Sequence, residues 1–149
     1  MAYEFKIRRL VEFSETDMAG IVHFTNFFRY MEQAEHAFYR SLGLSVVMDQ
    51  AAETVSLPRV HAACAYRRPL RFEDEFEVHL LVKQKRAKAI VYEFRFRRLS
   101  GQEEQVAHGE LAVVCVSRDN RGQMKAVELP AALADRIDEA PRELFPSEV

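Results

Sequence analysis

The sequence predicts an α+β fold in which an antiparallel β-sheet packs on a single long helix. Five segments alternate apolar and polar residues, as half-buried strands do, and one long segment has the spacing of an amphipathic helix. The 149 residues are enough for one domain that buries roughly two-thirds of its unfolded surface. We therefore expect a single domain over residues 1–149 with one core.

Composition narrows the class of protein. Hydrophobic residues make up 48% and charged residues 30%, which is typical of a globular domain. The formal net charge of −2 argues against a nucleic-acid partner, because such binding needs a strongly basic surface. The first ten residues, MAYEFKIRRL, contain no apolar signal segment, and no window reaches the roughly 18 apolar residues of a membrane span. We expect a cytoplasmic protein without a membrane partner.

The cysteines give no sign of a disulfide or a metal centre. Cys64 and Cys115 each lie in an apolar, strand-like run, and neither has CxxC or Cys/His ligand spacing. We predict two buried free thiols and no metal site.

The first strand and the helix are predicted by two different periods. Apolar residues occupy odd positions over residues 5–13, from Phe5 to Phe13, and a loop follows over residues 14–23. From there the period becomes helical, and five apolar side chains fall within a stripe of about 80°: Phe27, Met31, Ala34, Phe38 and Leu42. Thr25 or Asn26 suits the N-cap and Gly43 the C-terminal stop, which predicts about five turns.

The remainder is predicted to be mostly strands. After a less regular region over residues 44–56, strands are expected over residues 60–66, 76–82, 90–96 and 105–116, the middle two joined as a hairpin through KQKRAKA. Turns are expected at Gly101 and over residues 119–122, and a short helix over residues 130–137. A sheet on one helix has open edges, so we also expect self-association.

The loop before the helix is the candidate site. The sequence contains no GxSxG, P-loop, GxGxxG, HExxH or zinc spacing. Asp17 lies in the loop, Gly20 permits an unusual backbone, and the helix start offers free N–H groups that could polarise a carbonyl beside a carboxylate. On these residues alone, a turn or capping role for Asp17 is favoured over a catalytic role.

A family resemblance reverses that preference. The segment from Asp17 to Val22, DMAGIV, followed by Asn26 and the helix, resembles the hotdog-fold acyl-CoA thioesterases of the 4-hydroxybenzoyl-CoA thioesterase type. The segments YRRPLRFEDEFEV and RGQMKAVELPAAL extend the resemblance over nearly the whole chain. It implies a hotdog fold, with the sheet wrapped around one central helix, and hydrolysis of an acyl-CoA. It also implies a homodimer or homotetramer with sites at the subunit interface.

The resemblance assigns roles to particular residues. Asp17 would be the nucleophile or general base, and backbone N–H groups near His23, Phe24 and Thr25, with Gly20 beside them, would hold the thioester carbonyl. The basic hairpin would bind the CoA phosphates through Lys85, Arg86 and Lys88, with Arg67, Arg68 and Arg71 as weaker candidates. No cofactor is implied beyond the coenzyme A of the substrate.

Departures from the family pattern leave alternatives open. His23 and Phe24 stand where many members have an aromatic residue and a tyrosine or histidine, so His23 either orients substrate or supports the loop. A hydratase or dehydratase would use His23 with Glu35, although Glu35 is better explained as structural. A non-catalytic acyl-CoA-binding module is a further alternative. The acyl group, aryl or short to medium aliphatic, stays open.

Overall fold

The computed structural model describes residues 1–50 and 53–146. One long helix and nine strands are found in this part of the chain, with a short second helix near the end. In chain order the elements are β1 (Glu4–Leu10), α1 (Asn26–Ser41), β2 (Met48–Gln50), β3 (Glu53–Ser56), β4 (Arg59–Tyr66), β5 (Glu75–Lys85), β6 (Ala89–Arg98), β7 (Glu104–Val114), β8 (Val116–Arg118), β9 (Met124–Ala126) and α2 (Ala131–Ala134). None of the helices described is long and apolar enough to cross a membrane.

The strands form two antiparallel sheets. The larger has the order β1-β5-β6-β7-β4 and the smaller has the order β2-β3-β8-β9. Register in the larger sheet aligns the inward residues of neighbouring strands, with Ile7 opposite Val78 and Val78 opposite Phe96. Side chains of this parity are therefore on the inner face, and the predicted α+β architecture of antiparallel strands with one long helix is confirmed.

Helix α1 is held against the inner face of the larger sheet by its apolar stripe. Four of the five predicted stripe residues are buried, together with Tyr30 and Tyr39, while Leu42 is half-buried. Burying one large apolar side chain contributes about 1.5–3 kcal/mol, whereas helix propensities differ by at most about 0.7 kcal/mol per ordinary residue. Packing therefore decides where this helix lies.

The direction of α1 along the sheet positions its N-terminus. The Tyr30 ring lies 4.7 Å from the ring of Phe76, which is the second residue of β5. Further along the helix, the hydroxyls of Tyr39 and Tyr92 are hydrogen-bonded at 2.7 Å, and Tyr92 pairs with Val82 towards the other end of β5. The N-terminus of α1 is therefore at the end of the sheet where β5 begins, and its C-terminus points towards the β5–β6 hairpin.

Two predictions for the first third of the chain were wrong. The first strand ends at Leu10, and Phe13 lies in a 3₁₀ turn with 75% of its surface exposed, its ring against Phe72. The region 44–56, predicted to be irregular, contains β2 and β3. These strands have only three and four residues, too few to give a clear period-2 pattern.

The edge strand β4 is less buried than its alternation predicted. Val60 is 63% and Tyr66 45% exposed, and Cys64 is half-buried rather than buried. The reason is topological, because β4 has a hydrogen-bonded neighbour on one side alone. Cys115 is buried as predicted, and both thiols are free.

The structure divides the predicted strand over residues 105–116 into two strands. It also shortens the predicted helix over residues 130–137. Cys115 separates β7 from β8, so the chain passes from the larger sheet into the smaller one. Helix α2 has only four residues. The predicted turns are present, with positive φ at Gly101 and Gly122.

A buried ion pair joins α1 to the start of β4. Glu35 is fully buried, and its two carboxylate oxygens accept hydrogen bonds from the Arg59 guanidinium at 2.7 and 3.1 Å. Burial raises the pKa of Glu35, and the Arg59 charge opposes that rise. Glu35 is thus a structural acid with a partner 24 residues away in the chain.

We predict that Arg59→Met lowers the free energy of unfolding by about 3–5 kcal/mol, because it leaves the Glu35 carboxylate buried without its counter-charge. With its pKa raised further above the unfolded value, Glu35 favours the folded state only when protonated. The loss should therefore be smaller near about pH 5 than near about pH 8.

Urea unfolding at fixed protein concentration measures this loss. Arg97→Met is the matched control, since Arg97 pairs with Glu103 at 3.4 Å on the exposed face with 47% of its side chain accessible, and should cost less than about 1 kcal/mol. Equal losses for the two variants, or a loss for Arg59→Met that does not vary with pH, would contradict the assignment.

Candidate active site

The loop between β1 and α1 is fixed to the segment that precedes β5. The Val22 N–H donates to the Leu70 carbonyl at 2.8 Å, and the Val11 N–H donates to the Asp74 carbonyl at 2.9 Å. Val11 and Val22 are themselves buried. The loop is therefore held at both ends against the start of β5, beside the N-terminus of α1.

Within this loop, residues 16–22 fold back on themselves. An antiparallel bridge joins Thr16 to Val22, and the Asp17 N–H donates to the Ile21 carbonyl at 2.9 Å. The Gly20 N–H donates to the Asp17 carbonyl at 2.9 Å, with Gly20 at φ +79°. That left-handed conformation, rather than any crowding, is what requires glycine there.

Asp17 makes a turn contact with one carboxylate oxygen and keeps the other unbonded within the described residues. Its Oδ1 accepts a hydrogen bond from the Ala19 N–H at 2.9 Å, which is the turn contact expected of an aspartate in a loop. Its Oδ2 accepts none from the part of the chain that the structure describes. The side chain is half-buried, so one carboxylate oxygen is fixed and the other faces outward.

The three predicted carbonyl donors differ in availability. The His23 N–H donates to the Glu15 carbonyl at 2.9 Å, and the Thr25 N–H lies 3.3 Å from Nδ1 of His23. The Phe24 N–H has no acceptor among residues 1–50 and 53–146. Thr25 occupies the N-cap position as predicted, although its hydroxyl bonds to His23 rather than to the helix. Of the three predicted donors, Phe24 has the N–H that is unbonded within the described residues.

Tyr66 fixes the Phe24 peptide from the other side of the loop. Its hydroxyl donates to the Phe24 carbonyl at 2.8 Å, and its ring stands edge-on to Phe27 at 5.1 Å. Burial, with a smaller contribution from Cys64, raises the pKa of Tyr66 to about 12, so the hydroxyl keeps its proton at neutral pH. Sequence reasoning did not assign this role, because 42 residues separate the two partners.

His23 is placed as a support for the loop. Its Nδ1 is 2.7 Å from the Thr25 hydroxyl, and its ring stacks on Phe24 at 4.8 Å. Glu35 lies nine residues beyond the first residue of α1, or about 13 Å along the helix axis, and is bound to Arg59. The His23–Glu35 pair of the hydratase alternative is therefore not assembled within one chain.

The basic hairpin is only partly available for phosphate. The Lys85 ammonium donates to the carbonyls of Ala134 at 2.6 Å and Ile137 at 3.0 Å, so it stabilises the end of α2. Its ammonium is thus engaged within the chain, and its assignment as a CoA ligand stays a prediction. Arg86 and Lys88 are exposed, and the Arg86 guanidinium donates to the Gln84 side chain at 2.9 Å.

The hairpin and Asp17 are far apart within the chain. The Asp17 loop is attached where β5 begins, and Arg86 follows its last residue. Eleven residues of extended strand span roughly 33 Å. The weaker candidates Arg67, Arg68 and Arg71 are exposed near the Asp17 end.

Asp17 does not line either of the two concave surfaces found in residues 1–50 and 53–146. A trough of about 1190 Å³ runs over the outer face of the larger sheet between charged residues of β5, β6 and β7, and Asp17 does not line it. In the described residues no group of three or more His, Cys, Asp or Glu side chains is placed to hold a metal. The Asp17 loop is thus an open surface that a second molecule could cover.

Comparison with known proteins gives one family and one fold. The family model described as the thioesterase-like superfamily matches residues 11–137. A candidate esterase of Aquifex aeolicus is 46% identical over 82 residues, which cover 54% of this chain and 62% of that relative, less than two-thirds of its length. A 1,4-dihydroxy-2-naphthoyl-CoA hydrolase of Synechococcus elongatus is 30% identical over 138 residues, covering 89% of this chain and 93% of that one.

A solved structure agrees with these matches at the level of the fold. The 4-hydroxybenzoyl-CoA thioesterase of Pseudomonas sp. strain CBS-3 has a TM-score of 0.76 at 20% identity, covering 90% of this chain and 99% of that one.

Proposed function

Because the family model covers most of the chain, the protein belongs to the thioesterase-like superfamily and has its hotdog fold, and we propose that it is an acyl-CoA thioesterase with Asp17 as its catalytic nucleophile or general base. The observation that carries the proposal is the closed loop, in which one carboxylate oxygen of Asp17 is held by the Ala19 N–H while the other oxygen and the Phe24 N–H are unbonded in the described part of the chain. The names of relatives that hydrolyse acyl-CoA thioesters support it.

The reaction needs only water and the two groups of the loop. The thioester oxygen accepts the Phe24 N–H at the positive end of α1, which stabilises the negative charge that develops on that oxygen. The Asp17 carboxylate either attacks the carbonyl carbon, forming an anhydride that water then cleaves, or takes a proton from a water that attacks directly. In both routes the C–S bond breaks, coenzyme A leaves as the thiol, and the acyl group is released as the acid. No cofactor takes part.

Edge strand β4 is our candidate for the dimer contact. It presents Val60, Ala62 and Ala63 exposed along an unpaired edge, and an edge strand readily pairs with its own copy. Two copies related by a two-fold axis must pair β4 antiparallel to β4. A ten-stranded sheet across the dimer would result, whether the final assembly is a dimer or a dimer of dimers.

This dimer would bring the hairpin of one subunit towards Asp17 of the other. β4 starts at the hairpin end of its own sheet, since Arg59 and Ile90 both pair with Val113, and it ends at Tyr66 beside Phe24. Antiparallel pairing places the start of one β4 against the end of the other. Arg86 and Lys88 of the partner copy would thus approach the CoA phosphates at a site that a single chain lacks.

We expect an aromatic acyl group in the substrate, and aromatic acyl-CoAs should be tested first. Phe27 contacts both Tyr66 and Phe96 through its ring, and Phe24 is 59% exposed at the loop. The name of the Synechococcus elongatus relative points to a hydroxynaphthoyl group. A thiol-release panel of hydroxyaryl, short-chain and medium-chain acyl-CoAs distinguishes these classes by kcat/KM.

We predict that Asp17→Asn lowers kcat for the best substrate in that panel by at least about 10³-fold, because the amide neither attacks nor accepts a proton. The Ala19 turn contact is retained by the amide oxygen, so stability should change little. Release of free thiol is the measurement, with Asp119→Asn, in the turn between β8 and β9, as the control. Wild-type rates in Asp17→Asn would refute the proposed catalyst, and no thiol release by the wild type would refute the activity.

Loss of the Tyr66 hydroxyl should lower kcat without weakening binding. Tyr66→Phe removes one hydrogen bond of about 1–1.5 kcal/mol that orients the Phe24 peptide, so kcat should fall by about 5- to 10-fold while KM stays within about twofold. Tyr3→Phe, at the hairpin end of β5, is the control and should keep wild-type kinetics. An unchanged kcat in Tyr66→Phe would show that the Tyr66 hydroxyl does not contribute to catalysis.

Hybrid dimers test whether the hairpin acts on the partner's site. We mix Asp17→Asn chains with chains carrying Arg86→Ala and Lys88→Ala, and then unfold and refold them together. Half of the dimers are then hybrids, each with one intact site, so subsaturating activity should reach about one quarter of the wild-type value. Activity equal to the mean of the two parents would instead place both groups in one chain.

A further inference from the structure

Glu15 accepts hydrogen bonds both with its main-chain carbonyl and with its side-chain carboxylate, beside the candidate site. It is the last residue of the 3₁₀ turn before the loop and precedes Asp17 by two residues. Its side chain is only 14% exposed, although it is charged. A nearly buried acid needs partners, and the identity of those partners points to its function.

The Glu15 carbonyl is hydrogen-bonded to the residues on either side of Phe24 and Thr25. It accepts the His23 N–H at 2.9 Å and the Asn26 side-chain amide at 2.8 Å. Because the His23 N–H is thus satisfied, it cannot donate to a ligand, and the next N–H along the chain is the unbonded one of Phe24. One carbonyl therefore determines which amide is free.

The Glu15 carboxylate anchors that carbonyl to three elements. Oε1 accepts the Glu12 N–H at 2.8 Å, and Oε2 accepts from the Arg9 guanidinium of β1 at 3.2 Å. The same guanidinium bonds to Gln33 of α1 and lies 5.1 Å from the centre of the Tyr30 ring. The loop is therefore tied to strand, turn and helix through one acid.

Tyr30 indicates how tightly this cluster is packed. Its hydroxyl is buried with no hydrogen-bond partner in the described part of the chain. Burial and the neighbouring Glu15 carboxylate raise its pKa, so it stays neutral beside the ion pair. The buried Tyr30 side chain therefore lies directly against the Arg9–Glu15 pair.

We propose that Glu15 is a positioning residue for the thioesterase reaction, holding the Asp17 carboxylate and the Phe24 N–H in one fixed relation through its carbonyl and its pairing with Arg9. The inference rests on the proposed function. Glu15 does not contact the substrate. It acts through the loop, and its loss should impair the chemical step rather than binding, since a misplacement of about 1 Å can cost about 10²-fold in rate.

The test uses Glu15→Gln, Glu15→Ala and the control Glu77→Gln in the full-length protein. Glu77 is matched in burial, with 12% of its side chain exposed, and pairs with Arg97 at 3.7 Å on the outer face, away from the loop. Kinetics use an acyl-CoA that the wild type hydrolyses. Urea unfolding is measured for every variant.

We expect Glu15→Ala to lower kcat by about 10- to 100-fold with KM within about twofold, and Glu77→Gln to keep wild-type kinetics. Glu15→Gln keeps the shape and the N–H contact but not the ion pair, so it should lie between Glu15→Ala and the wild type. A wild-type kcat in folded Glu15→Ala would overturn the proposal, as would a loss explained by the unfolded fraction alone.

Three further outcomes are separable. If Glu15→Ala does not fold, Glu15→Gln decides by the same comparison of kcat with KM, and a wild-type kcat in that variant overturns the proposal. If Asp17→Asn retains wild-type activity while Glu15→Ala loses it, the proposed role of Asp17 as the catalyst is refuted. The proposal that Glu15 positions Asp17 is then refuted as well. If Asp17→Asn is inactive and Glu15→Ala is not impaired, only the Glu15 inference fails.

Discussion

The packing of α1 along β5 is the constraint on which the rest of the molecule depends. Phe27, Tyr30 and Phe38 fix the helix in rotation and in position along the strand, so its N-terminus lies at one end of the sheet. The loop before the helix must then turn beside the start of β5, where main-chain hydrogen bonds to Leu70 and Asp74 hold it. A rigid core thus determines the position of a loop that carries the chemistry.

Hydrogen bonds and an ion pair further fix the helix and the loop that the apolar core positions. At the N-terminal end of the helix, the Tyr66 hydroxyl binds the Phe24 carbonyl, and the Glu15 carbonyl binds the neighbouring His23 N–H and Asn26 side chain. In the second half of the helix, the Glu35–Arg59 pair ties α1 to β4, the strand whose outer edge is open. The same helix therefore organises the site at its N-terminus and, through Arg59, the edge that we propose as the dimer contact.

Local sequence patterns predicted the features of the fold that depend on which side chains are buried. The stripe of α1 and the alternation of β5 and β6 identify the inward faces, because each follows from which side meets the core. The turn at Gly20 was likewise readable, since its conformation requires glycine. Asp17 itself needed the family resemblance, because a turn aspartate and a catalytic one look alike in sequence.

Long-range polar pairing was not predictable in this way. Periodicity does not reveal that Arg59 meets Glu35, that Tyr66 holds Phe24, or that Lys85 caps α2 instead of facing solvent. Strands as short as β2, β3, β8 and β9 have too few residues for a period, and the exposure of β4 follows from its place in the sheet order.

The central claim is that the Phe24 N–H polarises the carbonyl of a bound thioester beside Asp17. It is tested most directly by the carbonyl stretching frequency of an acyl-CoA bound to Asp17→Asn, the variant in which we expect turnover to be lost. The account predicts a frequency below that of the same thioester in water, because a fixed donor and the helix N-terminus weaken the C=O bond. A frequency equal to or above the value in water would contradict it.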